Sequence, residues 1–175
     1  MSAEKPSIVC RSAKRCNNAR KRRSQCAMTV DPSPPAAVLD TNVVLDWLVF
    51  RNSDCATLTD AISAGKLQWI ATPPMRDELV HVLAGHHLDA WALDSASVWA
   101  QWDRHCMELP TPAPTGPRGR LRCSDRDDQM FIDLAVAAGA RWLLTRDRAV
   151  LKLARYLRLH GIDAVPPKRW TLTTS

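Results

Sequence analysis

Two acidic residues of this 175-residue chain each follow a short apolar run. Asp40 comes directly after Ala36–Leu39, and Asp147 comes shortly after the run at 141–144. A short apolar run bounded by turn signals is typical of a strand that is buried on both faces of a parallel sheet. Because ligands bind at the carboxyl ends of such strands, we expect both carboxylates at the same edge of one sheet.

Three more acidic residues lie where helices are expected to face that sheet. Glu78 precedes Leu79 in an amphipathic segment, and Asp127 and Asp128 begin another. Clustered carboxylates repel one another and raise each other's pKa, and Mg²⁺ or Mn²⁺ with oxygen ligands removes that penalty. Such a cation also assists phosphoryl transfer or phosphodiester hydrolysis. Each acid taken alone has an ordinary alternative explanation as an Asx turn, a helix cap or a solvated helix residue.

Strands and helices that must position these acids alternate along the chain. Apolar runs predict strands at 36–39, 67–71, 141–144 and 162–165. Helical spacing and stop signals predict helices at 43–50, 53–64, 73–83, 88–106 and 130–138, and a last helix from about 148 to 160. The proline-rich segment 110–122 is expected to be a loop. The alternation predicts an α/β fold with a central, mostly parallel sheet covered on both faces.

Most of the positive charge lies in the first 27 residues, which carry eight basic side chains against one acidic side chain. The remaining residues are close to neutral, so the overall basicity is no argument for nucleic-acid binding by the rest of the chain. We expect a basic, disordered arm at 1–35, one domain at 36–170 and a short tail at 171–175. The arm either contacts nucleic acid or is not translated, if synthesis starts at Met28.

Composition limits the class of protein and its compartment. The chain is 46% hydrophobic and 24% charged, which is typical of a soluble globular protein. No apolar stretch approaches the length of about 18 residues that a membrane span needs. The six cysteines form no CxxC pair, which favours the reducing cytoplasm over a disulfide framework or a zinc site.

At these acidic residues the sequence resembles the PIN-domain ribonucleases, and within them the toxin-like branch of bacterial type II toxin–antitoxin systems. The resemblance spans residues 36–170 and rests on four motifs in order: VLDTN at 38–42, Glu78 in its helix, DDQMF at 127–131 and LTRD at 144–147. It implies a three-layer α/β/α fold, endonuclease cleavage of RNA with Mg²⁺ or Mn²⁺, a cognate antitoxin partner and a homodimer.

Carried over by position, the resemblance implies that Asp40 and Asp147 are metal ligands and that Glu78 and Asp128 complete the catalytic pocket. Asn42 and Thr145 would orient ligands or waters through hydrogen bonds. Asp127 competes with Asp128 for the third acidic position, and Asp128 is preferred because it lies one turn ahead of the apolar face that contains Ala135.

Arginines beside the acidic motifs are candidates for holding RNA. They lie in the loop before Asp128 and directly before Asp147, where they would attract and position phosphates. These residues are Arg118, Arg120, Arg122, Arg126 and Arg146.

Two other functions remain open from the sequence. A catalytically inactive PIN-like module would bind RNA or a partner without cleaving. A phosphatase of the haloacid-dehalogenase type also has Asp after its first strand, but that chemistry needs a second Asp where this chain has Asn42.

Overall fold

The apolar runs of the sequence form a five-stranded parallel sheet. The computed structural model describes residues 33–85, 94–114 and 121–172, which all belong to one unit at 33–175. Hydrogen-bonded neighbours follow the order β3-β2-β1-β4-β5, and every pair is parallel. The strands are β1 (Ala36–Leu39), β2 (Gln68–Ala71), β3 (Cys106–Glu108), β4 (Trp142–Leu144) and β5 (Asp163–Val165). The α/β fold predicted from the sequence is confirmed.

The helices also follow the predicted order, with two differences. The segment predicted as one helix after Asp147 consists of two four-residue helices and a 3-10 turn, and the helix predicted from residue 53 starts as the 3-10 turn Ser53–Cys55. Residues 88–93 of the helix predicted at 88–106 lie outside the described part. The helices are α1 (Thr41–Leu48), α2 (Ala56–Ser63), α3 (Pro73–Leu83), α4 (Ser95–His105), α5 (Gln129–Ala137), α6 (Arg148–Leu151) and α7 (Ala154–Leu157).

Strand β3 was not predicted, and the assignment of its first residue, Cys106, to the end of a helix was wrong. Its backbone pairs with β2, and its last residue, Glu108, is tied to two neighbouring elements. Glu108 Oε1 accepts hydrogen bonds from Trp102 Nε1 at 2.9 Å and from Arg76 of α3 at 2.8 Å. These contacts hold Glu108 against α3 and α4, while the backbone of β3 pairs with β2.

Both faces of the sheet are covered. Successive residues of a strand point to opposite faces, yet Ala37, Val38 and Leu39 of β1 are all at most 2% exposed. The same holds in β4, where Trp142 and its two successors are at most 4% exposed. Burial on both sides is what the three-layer arrangement of helix, sheet and helix requires.

Helix ends match the glycine signals of the sequence. Gly65 follows α2 and Gly139 follows α5, both with positive φ, a conformation that glycine adopts without a steric cost.

In the described ranges, no helix is both long enough and apolar enough to cross a bilayer.

Candidate active site

The register of the central strands brings Asp40 and Thr145 together. Leu39 of β1 pairs with Leu144 of β4, so the next residue of each strand lies at the same level of the carboxyl edge. There the Thr145 hydroxyl donates a hydrogen bond to Asp40 Oδ2 at 2.6 Å, although the two residues are 105 positions apart. Both side chains are buried, at 0% and 2% exposure.

Asp40 is also the N-cap of α1, where its Oδ1 accepts a hydrogen bond from the backbone N–H of Asn42 at 3.2 Å. Burial raises the pKa of Asp40, the hydrogen bonds from Thr145 and Asn42 lower it, and the charge of Asp147 raises it again. The net result is a pKa above the ordinary value. Asp40 therefore caps α1, as the ordinary explanation of this residue proposed. The charge of Asp147 also acts on it, which the cap alone does not explain.

Asp147 is held in the same way at the start of α6. Its Oδ1 accepts a hydrogen bond from the N–H of Ala149, and its own N–H donates to Thr145 Oγ1 at 2.9 Å. Thr145 thus links both acids, since its hydroxyl donates to Asp40 and accepts from Asp147. The role expected for Thr145, to orient ligands or waters through hydrogen bonds, stays a prediction.

Asp128 differs from the first two acids. It occupies the N-cap position of α5, but its side chain makes no capping hydrogen bond. Its Oδ2 is buried without a hydrogen-bond partner. The pKa of Asp128 is raised to about 7, chiefly by burial and further by the charges of Asp40, Asp147, Asp125 and Glu78. Since this acid neither caps its helix nor has a donor at Oδ2, helix capping does not account for it.

Glu78 reaches the same edge from α3. Burial raises its pKa, a hydrogen bond from Thr41 lowers it, and the charges of Asp40, Asp127 and Asp125 raise it. Its Oε2 is buried and lacks a hydrogen-bond partner. The charges of Asp40, Glu78, Asp128 and Asp147, which come from four separate segments of the chain, therefore act on one another.

The carboxylate oxygens of these four acids are the type of ligand that a hard divalent cation such as Mg²⁺ binds. Glu78 Oε2 and Asp128 Oδ2 are buried carboxylate oxygens without a donor, and a cation would satisfy them. Within the described residues, however, no three His, Cys, Asp or Glu side chains form a group that could hold a metal ion as they stand.

The remaining predicted side chains lie at the rim. Asn42 is exposed and contacts Asp40. Asp127 is exposed, whereas its neighbour Asp128 is half-buried. The backbone N–H of Asp127 donates to Asp125 Oδ1 at 3.0 Å. Of the two acids that compete for the third acidic position, Asp128, which the sequence analysis preferred, is thus the more buried.

The predicted arginines fall into three groups. Arg118 and Arg120 lie outside the described residues. Arg122 and Arg126 are exposed in the segment that leads to Asp128. Arg146 forms an ion pair with Asp46 of α1. The hydrogen bond that Arg146 donates to Asp46 is the main reason why the pKa of Arg146 is raised above its ordinary value.

Asp46 is a residue that the sequence interpretation missed. It is only 7% exposed and lies on the first helix after β1. An acid in the middle of a helix ordinarily lies on a solvated face. The partner of Asp46, Arg146, follows 100 positions later in the chain. One signal was available: Asp46 follows Val43, Val44 and Leu45, so that it interrupts an apolar run.

Comparisons with known proteins agree with this architecture. The family model of the PIN domain matches residues 36–149, well over half of the chain. A solved structure, VapBC2 from Rickettsia felis bound to a DNA fragment from its promoter, has a similar fold, with a TM-score of 0.50 over 74% of this chain and 96% of that chain at 14% identity. No curated protein matches. The match of the family model confirms the resemblance inferred from the motifs: the chain belongs to the PIN-domain family.

Proposed function

We propose that the chain is a metal-dependent endoribonuclease. One observation carries the proposal: a carboxyl group at the carboxyl edge of the sheet, Asp128, is held beside three other acids with a pKa of about 7 and an oxygen that lacks a donor. Folding alone gains nothing from such repulsion, so the arrangement favours a role in binding a cation. PIN domains are generally nucleases.

The four acids divide the work in this proposal. Asp40, Glu78, Asp128 and Asp147 are the catalytic residues and would hold Mg²⁺ or Mn²⁺. When bound, the cation supplies an activated water and neutralises charge that develops on the phosphodiester. Thr145 and Asn42 keep the Asp40 carboxylate oriented through their hydrogen bonds to its two oxygens. Asp127 acts from the rim through its charge, which reaches Glu78.

Single-stranded RNA is the proposed substrate, and arginines at the edge of the acidic site would hold its phosphates. Arg122 and Arg126 are exposed beside Asp128, and Arg146 lies between Thr145 and Asp147. Arg118 and Arg120 belong to the same basic segment. Cations around a negative pocket attract a polyanion while leaving the acids available for a divalent ion.

The biological setting proposed is that of a cytoplasmic toxin, with the nuclease domain at 36–170. The likeness to the VapBC2 structure concerns the fold, and it motivates a search for a small antitoxin gene beside this one. A cognate antitoxin and a homodimer complete the proposal.

Cleavage of a labelled, unstructured RNA by the purified full-length protein tests the activity. We expect cutting with Mg²⁺ or Mn²⁺, none with EDTA, and none by Asp40→Asn or Asp147→Asn. Asp163→Asn is the matched control because it makes the same exchange at the start of β5. The amino ends of the parallel strands lie opposite the carboxyl ends that Asp40 and Asp147 follow. Cleavage that survives EDTA or either site variant would refute the proposal. RNA binding without cleavage would favour the inactive module, and phosphate release from small phosphoesters would favour the phosphatase.

A further inference from the structure

Helix α1 contains a buried acidic residue, Asp46, which is not one of the four proposed catalytic acids. Asp46 has 7% of its surface exposed, and a carboxylate buried to this extent requires partners. Its Oδ2 accepts from the guanidinium of Arg146, and its Oδ1 accepts from Asn52 Nδ2 at 3.3 Å. The backbone N–H of Asn52 also donates to the carbonyl oxygen of Asp46 at 2.8 Å, which fixes this contact at the end of the helix.

Arg146 is constrained from two directions. Its neighbours in the chain, Thr145 and Asp147, are linked to each other and to Asp40 by hydrogen bonds, so its backbone is fixed by the acidic site itself. Its side chain is fixed by Asp46. The guanidinium still faces solvent, because the Arg146 side chain is 50% exposed whereas that of Asp46 is 9% exposed.

This arrangement suits the recognition of a phosphate. A guanidinium has five N–H donors in a rigid plane, and the contact with Asp46 is made through Nη1. Because the guanidinium is rigid, the contact of Nη1 with Asp46 also fixes the direction of the N–H groups that face solvent. A side chain that is held before binding loses less rotamer freedom when its ligand arrives.

We propose that Asp46 is a positioning residue, which holds the Arg146 guanidinium so that its exposed donors bind a phosphate of the RNA. The inference rests on the proposed ribonuclease function. Asp46 acts through Arg146 and does not touch the substrate.

Positioning and simple electrostatics predict opposite effects for Asp46→Asn. Removal of a negative charge near a polyanion strengthens binding if charge alone matters. If Asp46 positions Arg146, the variant binds RNA more weakly although the protein has become more positive.

The test measures binding of the full-length protein to a labelled single-stranded RNA in EDTA, where cleavage is excluded, over a series of salt concentrations. We expect Asp46→Asn to weaken binding by about three- to tenfold with an unchanged salt slope, because Arg146 keeps its charge. Arg146→Gln is expected to weaken binding at least as much and to reduce the salt slope by about 0.7, the loss of one phosphate contact. Asp163→Asn, which removes the partner of Arg158 at 3.2 Å, is the control and should leave binding unchanged.

A cleavage assay with Mg²⁺ adds a second readout. Asp46→Asn is expected to raise KM with little change in kcat, and Asp46→Glu to recover part of the loss. Unchanged or tighter binding by folded Asp46→Asn would overturn the inference, and so would an unchanged salt slope for Arg146→Gln. If Asp46→Asn does not fold, binding of RNA by Arg146→Gln and Arg146→Lys decides the matter. Unchanged binding by both variants would overturn the inference. A wild-type protein that cleaves RNA while these variants bind normally refutes only the positioning role. A wild-type protein that neither binds nor cleaves RNA refutes the ribonuclease proposal and this inference with it.

Discussion

Replacement of Asp128 by Asn is expected to stabilise the protein in the absence of divalent cations. The exchange keeps the size of the side chain and removes a charge that burial and nearby acids oppose. Asp128 makes no capping hydrogen bond that the substitution would break. The effect on stability therefore isolates the electrostatic cost of this one carboxylate.

The pKa of Asp128 gives the size and the pH range of the effect. A folded-state pKa of about 7 against an ordinary value of 3.8 corresponds to a cost of about 4 kcal/mol for the ionised folded protein, at about 1.36 kcal/mol per pKa unit. The residue is half-buried, so solvent screening reduces this, and we expect about 1–3 kcal/mol. Because the folded pKa is the higher one, the folded state binds the proton more tightly, and stability falls as pH rises from about 4 to 7. Above pH 7 the cost is constant.

Urea unfolding at pH 8 and pH 5 in EDTA measures this. Asp128→Asn should gain about 1–3 kcal/mol over wild type at pH 8 and less than half of that gain at pH 5. Mg²⁺ should stabilise wild type at pH 8 more than it stabilises the variant. Asp127→Asn is the matched control, because Asp127 is exposed, and its effect should stay within about 0.5 kcal/mol. An equal gain at both pH values, or no gain at pH 8, would refute the electrostatic argument; a larger gain for Asp127→Asn would assign the interior position to that residue.

Three further predictions concern the site and the arm. Asp40→Asn and Asp147→Asn should each lower RNA cleavage by at least about a thousandfold with an unchanged circular dichroism spectrum, and retained activity in either would remove that acid from the site. Thr145→Val should cost about 1–3 kcal/mol in urea unfolding, because Asp40 loses its donor at 2.6 Å, and the pKa of Asp40 should rise further; a neutral effect would contradict the role given to this hydroxyl. Deletion of residues 1–27 should leave cleavage of a short RNA within about threefold of wild type, and a folded but inactive truncation would show that the arm takes part in catalysis.

The sequence predicted the sheet well because the strongest signals come from its most buried strands. Strands β1 and β4 are covered on both faces, so that nearly every residue in them must be apolar. The acid after each strand was then placed at the right edge by topology alone, since parallel neighbours end at the same side. The contact between Asp40 and Thr145 follows from this register, without any knowledge of the side chains around it.

Features that depend on contacts between distant segments were not predictable in the same way. Strand β3 is short, lies at the edge of the sheet and depends on bonds from Trp102 and Arg76 to Glu108, none of which local periodicity records. The ion pair of Asp46 could not be predicted from its neighbours in the sequence, because its partner, Arg146, lies 100 positions later in the chain. Local patterns report burial and backbone conformation, whereas the pairing of buried charges is decided by the tertiary structure.

The four acids differ in how far the fold itself holds them, and this bears on how the site works. Asp40 and Asp147 each use an oxygen to cap a helix, and Thr145 connects them, so their positions are set before any ligand arrives. Glu78 and Asp128 each have a buried oxygen without a donor and a raised pKa. Because an unpartnered buried carboxylate is costly, these two are the residues whose environment a bound cation would change most. We therefore expect cation binding to lower the pKa of Asp128 and Glu78, so that the protons released when Mg²⁺ is added near pH 7 measure the assembly of the site directly.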